Sequence, residues 1–351
     1  MKLVVITCHN QPDYIRAVTL RQAALNQAKV NVKIVKNKRI GVLRYLEIIL
    51  KLIKVRLTFN PDVYLLTFRG YEILPFTKFI SIRKKLIYDE FVNPIEWLNE
   101  PRDEFWTRFI PKSLFASYYR HLVKNIDLIL ADTPSHAKYS SKLSRLPVTK
   151  YRSLPVGTDE DIFHPIVTTK KNKTFSVFYY GNMLPLHGLD TVLEAAKLLQ
   201  DYPIKFLLVG GGDRSKSKIQ AQNNKRLTYK SWLAFEAIPY TIRKYNLCLG
   251  GPFGDTVQAQ RVITGKTYQF LACGAPTLIG KNQASEIFKD GFNSLVVEQN
   301  NPRQLAKKIL WAYKNQNKLV KIGQQGNKLY KDKLSSKVIS QEFSKILSDL
   351  H

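Results

Sequence analysis

Short apolar runs alternate with longer stretches of helical spacing along the whole chain. Such runs, rich in β-branched and aromatic residues and bounded by turn residues, are typical of buried strands. The first half contains KLVVITC, NVKIVK, PDVYLLTF, KLIYDEF and IDLILAD, and the second half contains FSVFYYG, IKFLLVG, LCLGG, APTLIG and SLVVE. Strands that alternate with helices predict an α/β protein in which each half forms a doubly wound parallel sheet.

A polar, basic segment with Pro and Gly, residues 154–174, interrupts this alternation. The chain has 351 residues, whereas a single domain usually has about 100–200. We therefore expect two Rossmann-like domains, residues 1–165 and 166–330, with the connection near the interruption.

The stretch YYGNMLPLHGLDTVLEAAKLL, residues 179–199, places glycines and a histidine where a strand leads into a helix. Thr191 and Glu194 have capping-box spacing, so we expect Thr191 to cap that helix. The next strand ends in the glycines 210–212. Ligands of parallel sheets bind at the carboxyl ends of strands, and free N–H groups at a helix start attract phosphate. The alternative is an ordinary strand-to-helix turn, because one glycine-rich turn is weak evidence.

The chain is strongly basic, with 55 Lys and Arg against 27 Asp and Glu and a formal net charge of +28. Residues 29–85 hold 14 basic and 3 acidic residues, a local excess of 14 − 3 = 11. This excess favours an anionic partner: a phospholipid surface, a phosphorylated substrate or nucleic acid. No nucleic-acid reader motif is present, so we expect no nucleic-acid partner. A general enrichment in lysine is the alternative explanation.

Cysteine usage and hydropathy indicate a reducing, cytoplasmic setting. The three cysteines, Cys8, Cys248 and Cys273, are far apart and have neither disulfide-framework nor zinc-site spacing. The N-terminus, MKLVVITCHNQ, has the pattern of a strand and a turn rather than of a signal peptide. No apolar run reaches the length of about 18 residues that a membrane span needs.

Four segments together resemble the large retaining GT-B glycosyltransferase family that includes lipopolysaccharide and mannosyl transferases, in its family 4-like branch with a PLHG loop. In chain order they are LPVGTDEDIFHP, YYGNMLPLHGLDTVLEAAKLL, FLLVGGGD and GKTYQFLACGAPTLIGKNQASEIFKDGFNSLVV. The resemblance implies a GT-B fold, with a first domain that binds the acceptor and a second that binds most of a nucleotide diphosphate-sugar. It also implies that a C-terminal helix, residues 331–351, returns to the first domain, so that QEFSKILSDL contacts residues before 165.

The same resemblance assigns donor-site roles to residues of the second domain. Those expected to bind the donor are Gly181, Asn182, His187, Gly188, Gly210, Gly211, Gln269 and Glu286. Where the family usually has Arg and Lys in the first loop this chain has Asn182 and His187, and where it usually has two Glu residues this chain has Arg261 and Gln269.

Two cations offset those departures. We expect Arg261 and Lys266 to lie at the donor diphosphate, because the chemistry requires positive charge where the leaving phosphate develops negative charge. The alternative is an exposed pair on the surface.

Asp159, Glu160 and Asp161 form a DxD triplet in the hinge rather than after a nucleotide-binding strand. We therefore expect neither a metal nor another cofactor.

The acceptor side is less well marked in the sequence. Asp89 ends the strand KLIYDEF, where many members of the family have a histidine, and is the candidate catalytic residue there. The alternative is a simple turn residue. His9 and Asn10 follow the first strand and are candidates for contacts with acceptor or phosphate.

Two basic, apolar stretches are candidates for a membrane surface. RYLEIILKLIKVRLTF, residues 44–59, fits a core helix against the sheet better than a membrane helix. FWTRFIPKSLFASYYRHLVK, residues 105–124, mixes aromatic and basic residues, a pattern that suits an anionic lipid surface. The alternative is an ordinary pair of helices. We expect peripheral association with the inner face of the cell membrane.

The sequence therefore predicts a retaining, metal-independent hexosyltransferase of polysaccharide biosynthesis. It would move a sugar from a nucleotide diphosphate-sugar to a lipid-linked or cell-surface glycan precursor. The alternatives are another GT-B chemistry, such as epimerisation of a sugar nucleotide, or a non-catalytic subunit that binds nucleotide-sugar. An epimerase would need no acceptor, and a binding subunit is suggested by Asn182 and Gln269.

Overall fold

The computed structural model describes residues 1–99, 111–166 and 172–350. It divides into two compact units, Met1–Val156 with Ile339–His351, and Gly157–Val338. Each unit contains one six-stranded sheet, and the described strand pairings in both sheets are parallel. The α/β class with two doubly wound parallel sheets is therefore confirmed.

The first unit has the strand order 2-1-3-4-5-6. Its strands are β1 (Lys2–Thr7), β2 (Asn31–Lys36), β3 (Val63–Thr67), β4 (Lys85–Asp89), β5 (Leu128–Ala131) and β6 (Tyr151–Ser153). Its helices are α1 (Ile15–Leu25), α2 (Leu43–Thr58), α3 (Leu74–Ile80), α4 (Pro94–Asn99), α5 (Lys112–Val123) and α6 (Pro134–Ser144).

The first sheet is covered on both faces, which explains why its strands are nearly continuous apolar runs. In β1, Val4 and Ile6 pack into one apolar cluster with α2 and α5, whereas Leu3 and Val5 pack into a second cluster with α1. Alternate residues of a strand point to opposite faces. Because the strands of this sheet run parallel, their carboxyl ends lie at one edge of it.

The last helix, α13 (Ser336–Asp349), belongs to the first unit from Ile339 onward. Ile339, Phe343, Ile346 and Leu347 are buried in the cluster that contains Leu3 and Val5. The side-chain amide of Gln27 also donates to the carbonyl oxygen of Ser340 at 3.0 Å. The expected return of QEFSKILSDL to the first domain is confirmed.

The second unit has the strand order 12-11-10-7-8-9. Its strands are β7 (Ser176–Tyr180), β8 (Lys205–Val209), β9 (Leu227–Lys230), β10 (Leu247–Leu249), β11 (Thr277–Lys281) and β12 (Leu295–Glu298). Its helices are α7 (Leu189–Leu198), α8 (Asp213–Gln220), α9 (Ala237–Lys244), α10 (Gly265–Ala272), α11 (Pro302–Lys314) and α12 (Gln316–Lys333).

Helix α7 buries the face that its apolar spacing predicts. Val192, Leu193, Ala196 and Leu199 are all buried in the core of the second unit. The predicted cap is wrong, because the N-cap is Gly188, whose φ of 67° only glycine adopts easily. Thr191 lies inside the helix, and its hydroxyl donates to the carbonyl oxygen of Phe253 at 3.5 Å.

Candidate functional site

The ends of β7 and β8 in the second unit meet through backbone alone. Gly211 donates its N–H to the carbonyl oxygen of Gly181 at 3.0 Å. A Cβ atom on Gly210 would lie 2.4 Å from that same oxygen, and Gly181 and Gly210 have φ values of 137° and 98°. These glycines let the two strand ends approach each other closely. Position 210 therefore requires glycine because a side chain there would collide with the backbone of Gly181. Their contact with a nucleotide stays a prediction.

The PLHG loop is fixed against a second loop, residues 250–254. Pro185–His187 forms a turn of 3₁₀ helix, and Gly254 donates its N–H to the carbonyl oxygen of Leu186 at 3.1 Å. A Cβ atom on Gly188 would lie 2.4 Å from the backbone carbon of Phe253. Gly188 therefore permits close packing of the two loops, which sets the position of His187.

Lys266, in the first turn of α10, brings its ammonium group beside His187 and Gly181. A Cβ atom on Gly181 would lie 3.5 Å from Nζ of Lys266 and 3.7 Å from Nδ1 of His187. Both nitrogens are buried and, among the described residues, neither has a hydrogen-bond partner. Nζ lies 4.4 Å from the centre of the Tyr179 ring. The predicted Lys266 and His187 thus come together at the end of β7.

Burial favours the neutral form of both the Lys266 amine and the His187 imidazole. It lowers the pKa of Lys266 to about 7. Burial, followed by the charge on Lys266, holds the pKa of His187 well below 6.5. Burial disfavours the charged form of a base, and an anion bound nearby would restore it. These two buried nitrogens, unpartnered within the described residues, therefore form a site suited to an anion.

Arg261 is also buried, at 4% exposure, and lies just before α10. Its Nη1 donates to the carbonyl oxygen of Val257 at 2.5 Å. The Asn282 side chain donates to the carbonyl oxygens of Ala259 and Val262, at 2.7 and 2.9 Å, and so fixes this loop. The burial contradicts the alternative of an exposed surface pair. Contact of Arg261 with a diphosphate stays a prediction.

Gln269 lies three residues after Lys266 on α10, as the helical spacing predicts. The Tyr180 hydroxyl donates to Oε1 of Gln269. A carboxylate at this position would accept from ribose hydroxyls, whereas an amide with its oxygen already engaged offers its two N–H groups. Sequence reasoning missed Tyr180 because it lies 89 positions away in the chain.

Asn182 and Glu286 are exposed. Asn182 follows Gly181 at the end of β7, and Glu286 lies in a 3₁₀ turn, Ser285–Ile287. Their side chains are open to solvent, and their contacts with a donor sugar stay predictions.

Asp89, at the end of β4 in the first unit, is fully buried. Its Oδ1 accepts from Nε and Nη2 of Arg16 at 3.0 and 2.8 Å. Its Oδ2 accepts from the N–H of Phe68 at 3.1 Å. Arg16 also donates to the carbonyl oxygens of Leu154 and Pro155, at 2.6 and 2.9 Å. These contacts favour the alternative that Asp89 fixes the strand end, and its catalytic role stays a prediction.

His9 and Asn10 lie after β1, as predicted, but much of their hydrogen-bonding capacity is used locally. Nδ1 of His9 accepts from the N–H of Gln11 at 3.0 Å, and burial lowers the pKa of this histidine. Oδ1 of Asn10 accepts from the N–H of Gly41 and from Arg44, at 3.0 and 3.1 Å. Both residues order this strand end.

An aromatic cluster that the sequence did not reveal lies beside His9. The ring of Phe68 stacks on Tyr14 with centroids 4.1 Å apart, and it meets His9 edge-on at 4.8 Å. Phe91 lies 5.5 Å from Phe68. An apolar aromatic surface of this kind can pack against a sugar ring or an acyl chain.

His136, at the start of α6, is buried and paired. Its Nδ1 lies 2.6 Å from Oδ1 of Asp132. Burial lowers the pKa of His136, but the charges of Asp132 and then Glu90 outweigh burial, so the pKa is raised. The pair joins the end of β5 to the start of α6.

One residue of the DxD triplet, Glu160, is engaged in hydrogen bonds within the second unit. Oε1 of Glu160 accepts from the Tyr330 hydroxyl at 2.9 Å and from the N–H of Ser336 at 2.6 Å. Within residues 1–99, 111–166 and 172–350, no group of three or more His, Cys, Asp or Glu side chains is placed to hold a metal ion.

Of the two candidate membrane segments, residues 44–59 and 105–124, the structure describes the first in full and the second in part. Of the stretch 105–124, residues 105–110, with Trp106, Arg108 and Phe109, lie outside the described residues. Within the remainder, Lys112–Val123 forms α5. Nowhere in the described part of the chain does a helix have the length and apolar character that crossing a membrane requires.

The comparisons with known proteins agree with this architecture. Residues 174–315 match the family model described as glycosyl transferases group 1. An uncharacterized glycosyltransferase from Methanocaldococcus jannaschii is 26% identical over 157 residues, which are 44% of this chain. The matched part spans 42% of that relative's length.

Two solved structures share the fold along nearly the whole chain. HepE from Anabaena, in complex with UDP and glucose, has a TM-score of 0.74 at 15% identity, covering 99% of this chain and 100% of HepE. Sucrose-phosphate synthase from Thermosynechococcus elongatus has a TM-score of 0.79 at 14% identity, covering 100% of this chain and 99% of the synthase. The fold is GT-B, and residues 174–315 of the second unit are similar to glycosyl transferases group 1.

Proposed function

We propose that this protein is a retaining glycosyltransferase that uses a nucleotide diphosphate-sugar donor. The observation that carries the proposal is the pair of buried nitrogens, Nζ of Lys266 and Nδ1 of His187, which lie beside Gly181 and have no hydrogen-bond partner among the residues that the structure describes. The pair lies inside the segment that matches glycosyl transferases group 1. The UDP in complexes of the similar HepE fold is an anionic ligand of the class that such a pair would bind.

In this proposal the diphosphate of the donor lies against Lys266 and His187, with Arg261 nearby. The bond between the anomeric carbon and the phosphate oxygen breaks, and the electron pair leaves with the phosphate. Lys266 stabilises the developing negative charge from a position fixed before the reaction, which is the most effective form of electrostatic catalysis. His187 is neutral in the free protein, because burial and the charge on Lys266 hold its pKa well below 6.5, and it would donate a hydrogen bond to the diphosphate.

The acceptor hydroxyl attacks the same face of the sugar from which the phosphate departs, so the anomeric configuration is retained. The new bond joins the acceptor oxygen to the anomeric carbon, and the acceptor proton passes to the leaving phosphate. This route needs no protein base. It is therefore compatible with the engagement of both Asp89 oxygens by Arg16 and Phe68.

Gln269 would serve donor recognition. With Oε1 engaged by Tyr180, its amide N–H groups would donate to a ribose hydroxyl, which would act as the acceptor. Asn182, Glu286 and the glycines at 181, 188, 210 and 211 would complete the donor site.

The proposed acceptor is a lipid-linked or cell-surface glycan precursor, and the proposed location is the inner face of the cell membrane. The net charge of +28 supports this proposal because it favours an anionic surface. Catalysis would need no metal, since the cations of the site would take the place of one.

Binding and transfer test the proposal separately. Thermal shift against a panel of nucleoside diphosphates and their sugar conjugates should reveal a stabilising donor, because a ligand of the native state raises the unfolding temperature by mass action. Product analysis with that donor and a lipid-linked acceptor, in excess EDTA, should then show a new glycosidic bond in which the anomeric configuration of the donor sugar is retained. Stabilisation by no member of the panel would contradict the donor assignment. Conversion of the donor without an acceptor would indicate epimerisation instead.

A further inference from the structure

The outward face of α2 in the first unit is apolar and exposed. Leu46, Leu50 and Leu57 are 54%, 58% and 78% exposed. They belong to a set that we call the α2 stripe: Leu43, Leu46, Leu50, Ile53 and Leu57. Its spacing alternates between three and four residues, so the five side chains lie along one line of the helix.

Folding of the first unit does not account for this face. The opposite side of α2 is already buried in the core through Ile48, Leu52 and Val55. The sequence interpretation of a core helix is therefore right for one face only. Isolated exposed leucines are ordinary on protein surfaces, but a continuous row of five marks an interaction site.

The exposed apolar surface extends beyond α2 at both ends. Ile40 and Val42, just before the helix, are 70% and 80% exposed. Phe79 and Ile82, at and after the end of α3, are 67% and 55% exposed. Nη2 of Arg56 on α2 lies 3.5 Å from the carbonyl oxygen of Ile82, which places the end of α3 beside the end of α2.

Cations border the α2 stripe, and the nearby acid is neutralised. The bordering cations are Lys38, Arg39, Lys54 and Arg83, and all four are exposed. None of them forms an ion pair within the described part of the chain. Glu47 of α2 accepts from Lys51 at 2.5 Å and from the N–H groups of Lys38 and Arg39, at 2.8 to 3.0 Å. The side-chain hydrogen bond from Lys51, followed by the backbone N–H of Arg39, lowers the pKa of Glu47 to about 2.

We propose that the α2 stripe and its bordering cations dock on an anionic lipid bilayer. The stripe would enter the boundary between headgroups and acyl chains, and Lys38, Arg39, Lys54 and Arg83 would pair with lipid phosphates. An amphipathic helix with cations beside its apolar face binds membranes in this orientation. The proposal rests on the proposed function only for the location of the acceptor, and it names the surface that reaches it.

Charge complementarity favours a bilayer over a second copy of the chain. A symmetric pairing through α2 would bring the same four cations close to their counterparts, and like charges brought together are destabilising. An anionic leaflet presents the opposite charge, and each cation near it contributes a factor of about five in affinity.

Vesicle flotation with the full-length protein tests the proposal. The protein should float with vesicles containing phosphatidylglycerol and not with phosphatidylcholine alone. The variant Leu46→Gln/Leu50→Gln should bind at least about tenfold more weakly, because two leucines lose their apolar burial. The variant Arg39→Gln/Lys54→Gln should bind about 25-fold more weakly, which is two factors of about five.

Matched controls exist on the second unit. Leu198 and Val320 are 53% and 58% exposed, nearly the same as Leu46 and Leu50, so Leu198→Gln/Val320→Gln should float like the parent protein. Arg214→Gln/Lys216→Gln removes two exposed cations of the second unit and should also leave flotation unchanged. All variants should keep the thermal shift with a nucleoside diphosphate, which separates membrane docking from the donor site.

Several outcomes would overturn the proposal. Flotation of the Leu46/Leu50 variant at the parent level would show that the α2 stripe is not the docking surface. A dimer in light scattering that becomes a monomer on the same substitution would assign the stripe to self-association. Binding to duplex DNA, in the absence of vesicle binding, would assign the cations to nucleic acid.

Discussion

Lys266 differs from a surface lysine because its ammonium group is buried and has no hydrogen-bond partner in the part of the chain that the structure describes. Burial is the cause of its lowered pKa, and the nearby Tyr179 ring offers only a weak attraction to a cation. A buried polar group without a partner is costly, and such groups concentrate at functional sites. A bound diphosphate would supply the missing partner.

Removing the Lys266 ammonium should therefore reduce turnover more than donor binding. We expect Lys266→Ala to lower kcat by about 10²–10³-fold, the scale for loss of one fixed charge-stabilising donor. Arg261→Ala should show a loss of the same order. The measurement is steady-state transfer with the identified donor. Substitution of Lys318, an exposed residue of α12, by Ala is the control and should leave kcat unchanged. Parent-level turnover in Lys266→Ala would contradict the diphosphate assignment.

Donor binding should also depend on pH through Lys266. In the free protein its pKa is about 7, so above pH 7 the amine is increasingly neutral, whereas a bound diphosphate favours the charged form. Binding above pH 7 must then take up a proton, and the Kd for UDP should rise about tenfold per pH unit until the pKa of the bound state is reached. Calorimetry in two buffers of different ionisation enthalpy measures this uptake.

The control for this pH dependence is Lys266→Arg. A guanidinium stays charged throughout this range, so the variant should bind UDP without proton uptake at this position. His187 is neutral in the free protein because its pKa lies well below 6.5, and any proton that it took up on UDP binding would still be taken up by the Arg variant. Equal proton uptake by the parent and the Arg variant would assign the titration to another group.

At the scale of elements, the end of β4 is tied to three other parts of the first unit through one ion pair. Arg16 of α1 contacts Asp89 and the carbonyl oxygens of Leu154 and Pro155, and Asp89 also accepts from Phe68 after β3. Both side chains of the pair are fully buried. Such a pair is most costly when only one partner is removed.

We expect Asp89→Asn to destabilise the first unit by about 3–5 kcal/mol, because it leaves the Arg16 charge buried without its counter-charge. Replacing both partners, as in Arg16→Met/Asp89→Leu, should recover much of that loss. Urea unfolding followed by circular dichroism measures both variants. An Asp89→Asn protein with the parent's unfolding midpoint but no turnover would instead support the catalytic role.

The strands and the burial of α7 could be predicted from the sequence because both depend on local periodicity. The start of α7 could not, since it depends on Gly188 packing against Phe253, 65 positions further along the chain. The same holds for Asp89, whose burial depends on Arg16, 73 positions away, and for Gln269, whose oxygen is engaged by Tyr180. Composition and spacing identify which residues carry the chemistry, whereas long-range contacts decide which atoms remain available.

At the scale of the whole molecule, the last helix makes the first unit discontinuous in sequence. The chain leaves this unit at Val156 and rejoins it at Ile339. Because α13 covers the face of the sheet formed by Leu3 and Val5, the first unit is complete only when the C-terminal segment is present. The resemblance to the GT-B family implied this return, and the buried residues of α13 explain it physically.

Weakening the contact of α13 should therefore affect the first unit and spare the second. Phe343 is fully buried in the cluster with Leu3 and Val5, and Phe343→Ala should cost about 3–5 kcal/mol through lost burial and a residual cavity. Hydrogen exchange should show faster exchange of amides in β1 and β3, with β7 and β8 unchanged. The matched control is Lys345→Ala on the exposed side of the same helix, where the side chain is 69% exposed and pairs with Glu342. That exposed pair contributes little to stability, so exchange should stay at the parent rate. Faster exchange in β7 and β8 of Phe343→Ala would show that the two units unfold together rather than separately.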